Sequence, residues 1–311
     1  MKVAHKNQLA LPVGTVLQEY TITRLLSLGG FSFVYLAQDA QKNTVAIKEY
    51  MPVTLAKRSG NTSAITSNGK NEAAFRHGMK CFFEEGLALA KIEHKNIVRV
   101  LNFFRANSTV YMVMKYERGK SLQDYIVALN RPLPEAFLIR MFIALLHGLR
   151  EVHSRKLLHL DIKPANIYIR LDGSPVLLDF GSARQALSDM TLAPTFTPGF
   201  ASPEQYYDRK HLGPWSDIYS IGASMYACLQ RASPLPANQR LQQDALIPAT
   251  TLGRQIYSEN LLQMIDDCMQ LDYLLRPQSV FSLQKQLSEL PVTDHPPSLV
   301  DKIVKVLTKP L

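Results

Sequence analysis

Residues 159–166 of this chain read His-Leu-Asp-Ile-Lys-Pro-Ala-Asn, and residues 179–181 read Asp-Phe-Gly. The first segment places a carboxylate, a cation and an amide within six residues, and the second adds a carboxylate 18 residues after Asp161. A third motif, Ser202-Pro203-Glu204, follows them. Because chance rarely produces several such motifs in one order, the set guides the interpretation of the remaining sequence.

Two further motifs lie within the first fifty residues. Residues 27–34 read Ser-Leu-Gly-Gly-Phe-Ser-Phe-Val, and small residues in such a segment let backbone N–H groups approach a phosphate. Lys48 ends the strand-like segment Val45-Ala46-Ile47-Lys48, where a cation can contact the α- and β-phosphates of a nucleotide. Taken alone, residues 27–34 are also consistent with a hairpin that binds no ligand. Lys48 alone is also consistent with a solvent-facing side chain.

Taken in order, these motifs resemble those of the eukaryotic-like (Hanks-type) protein kinases, and the resemblance extends from about Tyr20 to about Leu290. The segments LPVGTVLQEY, LGGFSFVYLAQD and VAIKEYMP look like those of bacterial serine/threonine kinases. The resemblance implies an α+β fold with two lobes. The N-lobe would be small and β-rich with one helix, and the C-lobe would be larger and mainly helical.

The residue pattern agrees with two lobes, because strand-like alternation fills the first third of the chain and helical periodicity begins near Ser121. The expected divisions are an N-terminal extension at 1–19, the N-lobe at 20–117, the C-lobe at 118–292 and a C-terminal tail at 293–311. Ser, Asn, Thr and Gly dominate a segment that predicts a polar surface insertion at about 55–80. A helix is expected to follow it from Cys81.

The resemblance implies a role for each matched catalytic residue. Asp161 would accept or orient the proton of the substrate hydroxyl, and Lys163 would neutralise the γ-phosphate. Lys48 would bind the α- and β-phosphates and pair with Glu85, or with Glu84 if the register differs by one. A lysine two residues after the catalytic aspartate is typical of serine/threonine enzymes rather than tyrosine kinases.

The resemblance also implies ATP and Mg²⁺ as cofactors, with Mn²⁺ as an alternative metal. Asn166 and Asp179 would hold the metal, since a hard cation prefers oxygen ligands. The residues expected to contact the nucleotide are Ser27, Leu28, Gly29, Gly30, Val34, Ala46, Lys48, Met114, Tyr116, Glu117 and Tyr168. Met114 would be the gatekeeper, and Tyr168 would form part of the floor beneath adenine.

Other matched residues have supporting roles in the family. Thr197 matches the threonine that hydrogen-bonds the catalytic aspartate and lysine, so it is included among the catalytic candidates. Glu204 is expected to pair with Arg276, and Asp217 to brace the catalytic loop.

Three features depart from the family pattern. Ser27 and Ser32 replace two of the loop glycines, which predicts weaker or slower nucleotide binding. Leu160 stands where most members have an arginine that is neutralised by a phosphorylated activation loop, so its presence changes regulation more than chemistry. Glu85 lies 37 residues after Lys48, a longer spacing than usual that accommodates the polar insertion.

These observations favour an active serine/threonine protein kinase that transfers phosphate to protein substrates and also to itself. A pseudokinase acting as a nucleotide-binding scaffold remains an alternative. A small-molecule kinase is a weaker one, because residues 197–204 and Arg276 resemble a platform for a peptide.

Composition sets broader bounds on class, partners and location. The chain has 311 residues, 46% of them hydrophobic and 20% charged, as in ordinary globular proteins. Its net charge of +9 comes from scattered residues, which favours acidic partners without specifically indicating nucleic acid. Three widely spaced cysteines, the lack of a secretory signal and the lack of a membrane-spanning segment predict a soluble, cytoplasmic protein. The oligomeric state is left open.

The tail contains a short amphipathic pattern at residues 299–307. Packing on the larger lobe is the simplest interpretation, and docking to a partner or an anionic membrane is the alternative.

Overall fold

The computed structural model describes residues 9–58, 63–67, 69–129, 131–180 and 196–291. The chain divides into two compact units. The first comprises residues up to Glu93 together with Val98–Glu117, and the second comprises His94–Ile97 and the residues from Arg118 onward. The predicted tail segment at 299–307 lies outside the described residues.

The first unit is built on a six-stranded antiparallel sheet. Its strands are β1 (Val16–Leu17), β2 (Tyr20–Leu28), β3 (Ser32–Gln38), β4 (Thr44–Tyr50), β7 (Val100–Ala106) and β8 (Thr109–Lys115). Their spatial order is β1-β2-β3-β4-β8-β7. Side chains alternate between the two faces of each strand, and in β3 the residues Phe33, Tyr35 and Ala37 are fully buried.

The polar segment is more ordered in its described part than the sequence suggests. Strands β5 (Ala56–Arg58) and β6 (Ile65–Ser67) pair as a hairpin, and helix α1 (Glu72–Ala90) begins nine residues before the predicted start at Cys81. Its buried residues are Phe75, Gly78, Phe82, Glu85, Gly86 and Leu89, all on one helical face. The expected insertion at 55–80 therefore contains a hairpin and the first half of a core helix.

The second unit is mainly helical in its described residues. Its helices are α2 (Leu122–Ala128), α3 (Glu135–Ser154), α4 (Pro203–Tyr207), α5 (Pro214–Gln230), α6 (Ala237–Arg240), α7 (Ala249–Leu252), α8 (Glu259–Cys268) and α9 (Val280–Glu289). A small sheet contains β9 (Gly119–Ser121), β10 (Ile167–Arg170) and β11 (Pro175–Leu177) in the order β11-β10-β9. Helix α5 is the centre of the core, with every residue from Ser216 to Cys228 buried.

Helix starts follow the sequence signals. Pro134 precedes α3, whereas Pro203 and Pro214 occupy first-turn positions in α4 and α5, where proline's missing N–H costs no helical bond. Within the described ranges, no helix has the length and apolarity needed to cross a membrane.

Candidate active site

The candidate catalytic loop lies just before β10 and is organised around the carboxylate of Asp161. Lys163 Nζ donates to Asp161 Oδ2 at 2.7 Å, and Thr197 Oγ1 donates to Asp161 Oδ1 at 2.8 Å. Lys163 Nζ and Thr197 Oγ1 are also only 2.6 Å apart. Three residues that the sequence assigned to catalysis therefore form one closed hydrogen-bonded triangle.

A turn of 3-10 helix at Pro164–Asn166 returns the chain toward the same carboxylate. Asn166 Nδ2 donates to the Asp161 carbonyl at 2.9 Å and to Asp161 Oδ2 at 3.1 Å. Both bonds use the amide nitrogen of Asn166, and its amide oxygen takes part in neither. The backbone N–H of Leu178 donates to the Asn166 carbonyl at 2.8 Å, which holds the segment leading into Asp179 beside Asn166.

Asp217, near the N-terminus of α5, fixes the residues that precede Asp161. Its Oδ2 accepts the backbone N–H of His159 at 2.9 Å, and its Oδ1 accepts that of Leu160 at 2.8 Å. His153 Nε2 lies 2.7 Å from Asp217 Oδ2. Burial alone raises the pKa of Asp217, but the hydrogen bonds and charges of these neighbours outweigh it and hold the pKa below its ordinary value. The predicted bracing role of Asp217 is confirmed.

The backbone at this point takes a conformation that non-glycine residues rarely adopt. Leu160 has a φ of 60° and Asp179 a φ of 54°, both in the left-handed region. The two backbone hydrogen bonds donated to Asp217 and the bond from Gln205 Nε2 to the Leu160 carbonyl, at 2.8 Å, compensate for the strain at Leu160. Gln205 and His153 are not predicted from the sequence, because neither belongs to one of the motifs.

His159 links the catalytic-loop motif at residues 159–166 to the Asp-Phe-Gly motif at residues 179–181. Its ring lies 4.3 Å from the Phe180 ring, and its Nε2 donates to the Leu178 carbonyl at 3.0 Å. Its Nδ1 accepts the backbone N–H of Asp161 at 3.2 Å. Burial lowers the pKa of His159, so the ring is neutral, as this donor and acceptor pattern requires.

In the first unit, Lys48 and Glu85 form the predicted ion pair. Lys48 Nζ lies 3.9 Å from Glu85 Oε1, and both residues are 5% exposed. Lys48 Nζ also lies 5.4 Å from the centre of the Phe82 ring. Glu84, the alternative partner, is 4.0 Å from Lys80 on the same helix instead.

Half of the predicted nucleotide residues in this unit share one face of the sheet. The strand register pairs Val34 with both Ser27 and Lys48, and it pairs Ala46 with Met114. Directly opposed residues point to the same face, as do residues two apart on one strand, so all five lie on the Lys48 face.

The glycine segment forms a tight turn, in which Gly29 N–H donates to the Ser32 carbonyl at 2.9 Å. A Cβ on Gly29 would lie 2.8 Å from that oxygen, whereas a Cβ on Gly30 would have nothing within 4 Å. Gly29 is therefore the glycine that the turn requires, although Ser27 and Ser32 replace its neighbours in the family pattern. Leu28 is the last residue of β2.

The remaining predicted nucleotide residues are Tyr116 and Glu117 in the first unit and Tyr168 in the second. Tyr116 and Glu117 follow β8 and are half-buried. In the second unit, Tyr168 on β10 donates its hydroxyl to the Gly119 carbonyl at 2.7 Å.

The predicted pair of Glu204 and Arg276 is confirmed. Arg276 Nη1 lies 2.8 Å from Glu204 Oε1, and the side chains are 0% and 3% exposed. Ser216 also donates to Glu204 Oε1, at 2.7 Å.

Comparison with known proteins identifies this arrangement. The protein kinase domain family matches residues 20–287. The chain belongs to the protein kinase family. Serine/threonine-protein kinase D of Synechocystis is 27% identical to it, over 94% of this chain and 56% of that protein. Serine/threonine-protein kinase Nek3 of Mus musculus is 32% identical, over 71% of this chain and 40% of that protein.

Solved kinase structures share the fold. The structure of the PpkA-294 apo form matches with a TM-score of 0.80 and 34% identity, over 90% of this chain and 99% of that one. The Mycobacterium tuberculosis PknI kinase domain matches with a TM-score of 0.69 at 20% identity, which shows the likeness of fold alone. This protein kinase spans 32–40% of the length of the first curated relatives, from Mus musculus and Arabidopsis thaliana.

Proposed function

We propose that this chain is a Mg·ATP-dependent serine/threonine protein kinase that phosphorylates protein substrates and itself. The observation that carries the proposal is the triangle formed by Asp161, Lys163 and Thr197. A carboxylate held by two donors is fixed in position, so it can receive a substrate hydroxyl without reorganising during the reaction.

Several of the predicted site residues have the chemistry that ATP and a divalent cation require. Asn166 and Asp179 offer an amide oxygen and a carboxylate, the donor types that Mg²⁺ prefers. When bound, Mg²⁺ neutralises charge on the phosphates. Lys163 would stabilise charge on the transferred phosphate, and Lys48, oriented by Glu85, would bind the α- and β-phosphates.

The base and sugar would be bound by the remaining predicted residues. Val34 and Ala46 contribute apolar side chains to the Lys48 face of the sheet, and such side chains suit a flat heteroaromatic base. Backbone groups near Tyr116 and Glu117 would recognise the adenine edge, and Tyr168 would lie beneath it. We also propose a cytoplasmic location and a signalling role. The three unpaired cysteines, Cys81, Cys228 and Cys268, are compatible with that compartment.

Transfer of radioactive γ-phosphate from Mg·ATP to a generic protein substrate tests the proposal. We expect label on serine and threonine in the wild-type reaction and none above background for Lys48→Met, because the phosphates lose their cation. Lys57→Met, which removes an exposed lysine from the same unit, is the matched control and should retain activity. Nucleotide binding without label would instead identify a pseudokinase, and label mainly on tyrosine would contradict the proposed specificity.

Activity should not depend on activation-loop phosphorylation. Leu160 is 3% exposed and carries no charge, so a loop phosphate has nothing to neutralise beside Asp161. Three acceptors in that loop, Ser188, Thr191 and Thr195, lie outside the described residues. We expect the Ser188→Ala, Thr191→Ala, Thr195→Ala triple variant to keep most activity on an external substrate.

Thr197→Ala should lose most activity for a different reason, because it removes the hydroxyl that contacts both Asp161 and Lys163. Both variants are measured with one substrate at saturating Mg·ATP. A dead triple variant that recovers with aspartate at the same positions would show that another basic residue, such as Arg184, binds a loop phosphate. That result would overturn the interpretation of Leu160.

A further inference from the structure

The residues directly after Lys48 contact several parts of the first unit. The backbone N–H groups of Met51 and Val53 donate to the carbonyls of Phe31 and Gly30, at 2.8 and 3.1 Å, and so hold the glycine segment. Glu49 points to the opposite face from Lys48 and accepts hydrogen bonds from Arg58, Tyr35 and Tyr111. Tyr50 lies between these anchored neighbours, on the same face as Lys48.

Tyr50 packs against the helix that carries Glu85. Its ring lies 5.4 Å from the Phe75 ring and 5.7 Å from the Phe82 ring, and the residue is 5% exposed. Phe82 is also the ring beneath Lys48 Nζ. Tyr50 therefore reaches the ion pair through Phe82 on the helix and through the strand that it shares with Lys48.

Gly78 makes the closest approach between α1 and Tyr50. A Cβ at position 78 would lie 2.0 Å from Tyr50 Oη and 2.9 Å from Tyr50 Cζ. Both distances are shorter than real Cβ contacts, and the flanking Phe75 and Phe82 rings leave the tyrosine ring little room to move aside. A mid-helix glycine costs about 1 kcal/mol relative to alanine, so close packing is the physical reason for its presence.

Glu85 lies seven residues after Gly78 on the same helical face. One residue further, a Cβ on Gly86 would lie 1.9 Å from Phe103 Cε1, which makes a second close contact with the sheet. Helix α1 therefore packs closely against the sheet at two glycines, which are about 12 Å apart along the helix at a rise of 1.5 Å per residue. The distance of 3.9 Å between Lys48 and Glu85 is near the limit of an ion pair, so a small displacement of the helix would separate them.

We propose that Tyr50 and Gly78 are positioning residues that set the separation of the Lys48–Glu85 ion pair. Tyr50 acts as a spacer against α1, and the missing side chain at Gly78 lets the helix approach the sheet closely. The expected effect on kcat for phosphoryl transfer rests on the proposed kinase function. The expected effect on the Lys48–Glu85 distance is independent of that function.

The test compares Gly78→Ala, Tyr50→Phe and the double variant, with Lys80→Ala on the exposed side of α1 as control. Gly78→Ala should lower kcat by about 10- to 100-fold, the range expected when a reacting group is misplaced by about 1 Å. Tyr50→Phe alone should stay near wild type. The double variant should recover part of kcat, because the nearest atom to the added Cβ is then at 2.9 Å rather than 2.0 Å. Lys80→Ala should match wild type.

A crystal structure of Gly78→Ala measures the distance from Lys48 Nζ to Glu85 Oε1 without relying on activity. We expect it to exceed 4 Å, and an unchanged distance would overturn the proposal. Equal kcat values for Gly78→Ala and the double variant would also contradict it. If the wild type transfers no phosphate, the proposed function fails while this distance still tests the positioning role. If Gly78→Ala does not fold, Tyr50→Leu removes the spacer without adding an atom, and a wild-type ion-pair distance in that variant would refute the proposal.

Discussion

The Asp161→Asn variant is expected to lower kcat for phosphoryl transfer by at least about 100-fold, within the range that a positioned general base contributes. Asparagine has nearly the same shape as aspartate, but it has one carboxamide oxygen, so it can accept the hydrogen bond from Lys163 or from Thr197 and not both. It cannot receive the substrate proton, and it carries no negative charge to offset that of Lys163. The loss should therefore appear in kcat, with little change in KM for ATP.

A stability measurement and a control variant test whether the loss of kcat comes from lost chemistry. Thermal unfolding of the Asp161→Asn variant should resemble that of the wild type, which separates lost chemistry from lost structure. Asp172→Asn is the matched control, because Asp172 lies in an exposed turn of the same unit, where its carboxylate accepts bonds from Ser174. A folded Asp161→Asn protein with only a few-fold loss of kcat would contradict the role proposed for Asp161.

The residues of the candidate site were predictable because their motifs are short and local. Asp161, Lys163 and Asn166 lie within six residues, so the local turn at Pro164–Asn166 is enough to bring them together, independently of the tertiary fold. Asp217 and Glu204 were also assigned correctly, although their partners are distant in sequence, because the family resemblance supplied the pairing.

The early start of α1 was missed because polar residues surround it. The apolar and glycine positions from Phe75 to Leu89 follow one helical face, and extending that periodicity toward the N-terminus would have placed the start before Phe75. Two positions on that face, Gly78 and Gly86, are occupied by glycine, a poor helix former. Glycine is required at these two positions because Tyr50 and Phe103 approach the helix closely there, and this approach depends on tertiary packing.

The cluster around Glu49 could not be predicted from the sequence. Glu49 is fully buried, and its partners Arg58, Tyr35 and Tyr111 come from three different strands. Burial, followed by the charge of Glu49, raises the pKa values of both tyrosines, so they remain neutral donors. Nothing in the local pattern distinguishes these residues from ordinary solvated charges and core aromatics. The register of the six-stranded sheet brings both tyrosines to Glu49, and Arg58 comes from the separate β5–β6 hairpin.

The Arg276→Met variant is expected to lose about 3–5 kcal/mol of the free energy of unfolding, the cost of breaking a buried ion pair by removing one partner. Besides its pair with Glu204, Arg276 donates to the carbonyls of Gln270 and Trp215 at 2.7 and 3.1 Å. Methionine fills a similar volume but leaves the Glu204 carboxylate buried beside the Ser216 hydroxyl, which donates a hydrogen bond but cannot replace a cation. Chemical denaturation followed by circular dichroism measures the loss.

A double variant separates the lost charge pairing from the lost packing. Arg276→Met with Glu204→Leu removes both charges, so it should be less destabilised than the sum of the two single variants. Arg155→Met is the exposed control, since Arg155 and Glu151 form a solvent-exposed pair one turn apart whose loss should cost about 0.5 kcal/mol or less. A loss below 1 kcal/mol for Arg276→Met would show that water or a rearranged donor reaches Glu204. In that case the ion pair itself would contribute little to the stability of the second unit.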